Sequence, residues 1–183
     1  LQQELDDAVD TINWLVKQPW CTGKIGMMGI SWGGFNSLQV AAMKPGPLKA
    51  VVTVCSSADR FADDIHFKGG CLLGVNFTWA GRMLSYSSRP PDPKIFGLNW
   101  FEEWLYRLKH LPLLADTWLL HQKRGEYWKH GSVCESYGSI KAAVLTVGGW
   151  HDGYRNTVSK LVSNLESPVK GIVGPWNHRY PHL

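Results

Sequence analysis

Four runs of the chain, Lys24 to Ile30, Leu48 to Cys55, Lys141 to Val147 and Val169 to Val173, are dominated by apolar and small residues and lack the polar alternation of a half-exposed strand. Such runs belong to strands covered on both faces, as in a parallel sheet flanked by helices. The neighbouring segments supply the helices. Residues 2–17 place Leu5, Ala8, Val9, Ile12, Leu15 and Val16 at helical spacing, with Glu4, Asp6 and Asp7 early and Lys17 late, as the helix dipole favours. Phe35 to Met43 reads as a second helix, stopped by Pro45 and Gly46, and Tyr154, Val158, Leu161, Val162 and Leu165 mark a third. Strands alternating with helices predict an α/β fold.

Between Ser56 and roughly Ile140 this rhythm breaks. Gly69-Gly70, Arg89-Pro90-Pro91-Asp92-Pro93 and Gly97 punctuate the segment, which is rich in Trp and Tyr. Residues 1–56 and 141–183 are therefore expected to form an α/β core, and 57–140 an inserted, mostly helical cap with helices near 99–109 and 113–124. No internal repeat is visible.

The 183 residues are 44% apolar and 19% charged without low-complexity runs, which excludes a disordered or fibrous chain. The net charge of +4 is dispersed, so no nucleic-acid footprint is expected. No run reaches the roughly 18 apolar residues of a membrane-spanning helix, so no membrane partner is expected. Cys21, Cys55, Cys71 and Cys134 are widely spaced with no CxxC pair, which argues for buried free thiols rather than a disulfide framework or zinc site. No HExxH motif is present, and no metal or cofactor is expected. The first residue is Leu1, and the chain is expected to be a segment of a longer polypeptide. Oligomeric state and compartment are left open, the cytoplasm being only the favoured one.

The chemistry centres on Gly29-Ile30-Ser31-Trp32-Gly33-Gly34, a GxSxG pattern at the point where an apolar run ends and a helix begins. A serine on so sharp a turn needs small residues on either side, and its hydroxyl then stands clear of the sheet. The helix that follows aims its first amides at developing negative charge, with the Trp32 N–H as oxyanion donor. A serine hydroxyl needs a base, and the base a group to orient it. Gly148-Gly149-Trp150-His151-Asp152-Gly153 follows the third run and Gly174-Pro175-Trp176-Asn177-His178 the fourth, so Ser31, Asp152 and His178 stand in order at successive strand ends. Asp152 has a second reading as the cap of the helix near Tyr154. His182 is the rival to His178, since His66, His110, His121 and His130 fall within the predicted cap and His151 adjoins the better-placed acid.

These three motifs, with Gln18-Pro19-Trp20-Cys21-Thr22-Gly23-Lys24-Ile25-Gly26 ahead of the first, resemble the CocE/NonD hydrolases, the cocaine-esterase and X-prolyl dipeptidyl-peptidase group. The resemblance spans nearly the whole chain. It implies a partial α/β-hydrolase fold and a serine hydrolase acting on a small-molecule ester or amide through an acyl-enzyme, with Ser31 as nucleophile, Asp152 as orienting acid and His178 as base. It also implies first sheet strands, and a tyrosine completing the oxyanion hole, upstream of Leu1. Without those strands the run 24–30 would have an open edge, and the isolated 183 residues are expected to aggregate. The competing reading is a non-catalytic binding or structural module.

Members of the group that select an α-ammonium substrate carry carboxylates just after the triad acid, where this chain has Gly153, Tyr154 and Arg155. Asp59, Asp63 and Asp64 could supply such charge, although they read more simply as the solvated first turns of a helix capped by Ser56 or Ser57. Trp79, Tyr127 and Trp128 are candidates for lining a substrate pocket, against the simpler role of cap core.

Overall fold

The computed structural model describes residues 2–183. Helix α1 (Gln2–Leu15) leads to strand β1 (Ile25–Ile30), helix α2 (Trp32–Ala42) and strand β2 (Leu48–Val54). A short hairpin, β3 (Phe67–Lys68) and β4 (Cys71–Leu72), opens a helical stretch: α3 (Val75–Ser87), α4 (Pro93–Phe96), α5 (Trp100–His110), α6 (Leu114–Leu120) and α7 (Glu126–Lys129). The chain then returns through β5 (Ala143–Gly149), α8 (Asn156–Asn164) and β6 (Val169–Gly174). The main sheet runs β1-β2-β5-β6, and every pair in it is parallel. The predicted α/β alternation is therefore present, and all four apolar runs are its strands.

One face of the sheet is thoroughly covered. Leu5 and Ile12 of α1, Leu38 and Val40 of α2 and Leu161 of α8 pack in one cluster with Val51 and Val144 of the sheet. The opposite face departs from the expectation that both are covered. In-register Met28, Val52 and Leu145 and, a row further, Ile30, Val54, Val147 and Ile172 line it. Among the described residues only Trp176 and Tyr180 pack on its cluster from outside the sheet. Met28 is consequently 65% exposed and Ile172 47%. The apolar character of these strands records a demand for cover that these residues do not themselves meet on this face.

Helix α6 stops short of the predicted 124, because the His121 carbonyl turns to accept a hydrogen bond from Trp128 Nε1 at 2.5 Å. The helix expected at Asp59–Asp64 does not form. Asp59 instead closes a turn, accepting from the Phe61 and Ala62 amides at 3.1 and 3.0 Å, and is gripped by both oxygens at Arg124 Nη1, 3.1 Å from each. Asp63 pairs with Lys68 at 3.2 Å and Lys160 at 3.0 Å. Both are buried, not solvated. A side chain that satisfies two loop amides competes with helix formation. The thiols also divide: Cys55 is buried, Cys21 and Cys134 are half-buried, and Cys71 is exposed, against the expectation of burial throughout.

Candidate active site

Ser31 sits between β1 and α2 with φ 57° and ψ −123°, a left-handed conformation that costs a non-glycine residue about 1–3 kcal/mol. The surroundings impose it. The Ser31 amide donates to the Val54 carbonyl at 2.9 Å and its carbonyl accepts from the Phe35 amide at 2.9 Å, pinning the turn between strand and helix. A Cβ at Gly34 would stand 2.8 Å from the Gly29 carbonyl oxygen and 2.9 Å from Thr53 Oγ1, and one at Gly29 would overlap the backbone of Gly33. The two glycines let helix and strand close to this distance. Because the first bond of the turn forms at Phe35, the Trp32 amide precedes it, at the positive end of the helix dipole.

Asp152 and His178 come from two loops tied to each other. The Trp150 amide donates to Gly174 O at 2.8 Å and the His151 amide to Trp176 O at 3.2 Å. Trp176 folds over Gly149 and Gly174, where any Cβ would collide with it. This packing brings His178 Nδ1 to 3.1 Å from Asp152 Oδ1. Asp152 is 3% exposed, whereas the His178 side chain is 44% exposed. Burial alone would push the Asp152 carboxyl up, but the hydrogen bond and charge of His178 outweigh it and hold the group below its usual range. Asp152 is no helix cap, since α8 begins four residues later and has no side-chain cap. His182 lies against Tyr180 instead, with ring centroids 5.8 Å apart. Ser31 and His178 are carried to the same end of the sheet, with no hydrogen bond between their side chains.

Two neighbours escaped the sequence reading. The Tyr154 ring lies 5.6 Å from the His178 ring, and its hydroxyl donates to Asp64 Oδ1 at 3.2 Å. Burial raises the Asp64 carboxyl to about 6 and, with the Asp64 charge, pushes the tyrosine hydroxyl well above its ordinary range. Cys55, in the left-handed region with φ 48°, ends β2 and donates its amide to Val147 O at 2.9 Å. Its thiol is held among the His178 loop carbonyls, 3.8 Å from Arg179 O and 3.9 Å from Asn177 O. Burial, then the adjacent Asp152 carboxylate, push it up to about 12, so it stays protonated. The only sequence signal was its place at the end of a strand, where Ser31 also stands.

The three aromatic candidates separate. Trp128 is fully buried, enclosed by Phe61, His66, Phe67 and Tyr127, and has no surface left for a ligand. Tyr127 is half-buried, stacked on His121 at 4.1 Å with Arg60 over its ring. Trp79 is half-buried beneath Arg82.

The family model for X-Pro dipeptidyl-peptidase (S15 family) matches residues 1–180. The chain belongs to this family. Cocaine esterase of Rhodococcus sp. (strain MB1 Bresler) is 28% identical over 197 residues, covering 94% of this chain and 34% of its own length. A CocE/NonD family hydrolase from Staphylococcus aureus superposes with a TM-score of 0.71 at 21% identity, over 94% of this chain and 28% of that one. An α-amino acid ester hydrolase superposes with a TM-score of 0.65 at 22% identity, over 96% and 32% of the two chains. These likenesses establish the α/β-hydrolase-type fold. This S15-family chain spans about a third of the length of the curated relatives it matches.

Proposed function

We propose that this S15-family chain carries the catalytic triad of a serine hydrolase that cleaves a small-molecule carboxylic ester or amide. The observation that carries the reading is the buried Asp152 bonded to His178 Nδ1, at the end of the sheet that bears the strained Ser31 turn. With Nδ1–H committed to Asp152, the lone pair of His178 is on Nε2, where it takes the Ser31 proton as Oγ attacks the acyl carbon. The Trp32 amide stabilises the oxyanion. His178 then protonates the leaving alcohol or amine, and water, activated by the same imidazole, hydrolyses the acyl-enzyme. The helices and hairpin of 57–140 act as a cap over this end, with Trp79 and Tyr127 as the candidates for contact with substrate.

A second reading, a binding module that keeps the fold without turnover, draws on the absent Ser31–His178 hydrogen bond. Labelling of the full-length polypeptide by a fluorophosphonate, beside its Ser31→Ala variant, separates the two. Labelling that vanishes in the variant supports the hydrolase. A folded protein that does not label supports the module.

A further inference from the structure

The thiol of Cys55 has no part in the reaction above, yet its sulfur, a carboxylate oxygen of Asp152 and a ring nitrogen of His178 all lie within 4.8 Å of one another. Two of these residues are sealed from solvent: Cys55 is 1% exposed and Asp152 3%. Asp152 Oδ1 is engaged by His178, but Oδ2 is buried without a hydrogen-bond partner. A buried carboxylate oxygen left unpaired is costly, and it marks a place where a cation would be stabilised.

We propose that Cys55, Asp152 and His178 form an inhibitory site for a soft divalent cation of the zinc or cadmium kind. Sulfur, imidazole nitrogen and carboxylate oxygen are the ligand set such ions prefer over magnesium or calcium. Ligand bonds of about 2.0–2.3 Å set donor atoms of a tetrahedral ion roughly 3.6 Å apart. The trio therefore closes on the ion with movements of about an ångström or less, and His178, with a side chain 44% exposed, is the ligand free to make them. That same exposure gives the ion its way in and leaves the fourth position to water. Binding displaces the thiol proton to solvent as the metal–sulfur bond forms. The imidazole proton moves from Nδ1 to Nε2, and Nδ1 takes the metal. Nε2 is then a donor and cannot accept the Ser31 proton, while Asp152 is withdrawn from orienting the ring. The inhibitory consequence rests on the triad reading above; the binding itself does not.

The test titrates the full-length polypeptide with Cd²⁺ and Zn²⁺, following the fluorophosphonate labelling rate at Ser31 and the ultraviolet cadmium–thiolate band. Labelling slows as the band rises to one ion per chain, and a chelator reverses both. Cys55→Ser is expected to lose the band and to need at least about tenfold more metal for half-inhibition. Equal metal sensitivity in Cys55→Ser overturns the proposal. Should that variant not fold, Cys55→Ala takes its place with the same two readouts, and an unchanged band or unchanged metal sensitivity there overturns the proposal. Absence of labelling without metal counts against the triad reading, and the thiolate band still reports the ion.

Discussion

His178 donates Nδ1–H to Asp152 Oδ1 across 3.1 Å, and only the acid of that pair is buried. The buried partner sets the tautomer while the exposed imidazole stays available to substrate. Asp152→Asn would present an amide that forces the opposite tautomer. We expect turnover to fall by about 10⁴ with the fold intact. Steady-state kinetics on an activated ester, beside circular dichroism, checks this, and a loss under tenfold would remove Asp152 from the mechanism.

Gly34 lies against Gly29, so that a methyl at position 34 would meet the Gly29 carbonyl oxygen at 2.8 Å. The clash is with backbone, which cannot rotate away. Gly34→Ala is expected to destabilise the protein by about 1–3 kcal/mol and to disturb the Ser31 turn. Urea denaturation gives the first, fluorophosphonate labelling the second. At Gly33, where an added Cβ meets nothing within 4 Å, alanine is the control.

His66 is buried against Trp118 and Trp128, with Nδ1 2.7 Å from Asn76 Oδ1. Burial lowers its ring to about 4. The unfolded chain therefore takes up this proton first, so the stability due to His66 is full above pH ~6.5 and declines as pH falls towards about 4. Asp64, raised to about 6, has the opposite slope in an overlapping window, so the effect must be read as a difference. The stability gap between the unaltered protein and His66→Gln should narrow across that fall in pH. A gap that is flat from pH 6.5 to 4 would contradict the buried neutral ring.

Met28 is 65% exposed on β1, which is the first strand in the sheet order and, among the described residues, has β2 as its one partner. An open strand edge beside an uncovered apolar face invites association. Expressed as these 183 residues, the chain should self-associate, and Met28→Lys should shift it towards monomer in size-exclusion chromatography. No change in the elution profile would place the sticky surface elsewhere.

Much of this protein is legible in its sequence. The four apolar runs are the strands, and Ser31, Asp152 and His178 stand at the ends of three of them. Period and punctuation are local properties, so a chain can be read for them directly. The segment 57–140 was harder, because Asp59 and Asp63 have the composition of a helix start but are claimed by Arg124, Lys68 and Lys160 from distant positions.

The sequence by itself determined the parallel α/β layout and the residue types at the strand ends, because hydrophobic period and turn chemistry act between neighbours. Only the tertiary structure decided that Asp152 meets His178 rather than capping α8, that Trp128 is sealed in the core, and that Cys55 is packed beside the acid. Those outcomes follow from strand register and from the packing of Trp176 over Gly149 and Gly174, which bring together residues far apart in the chain.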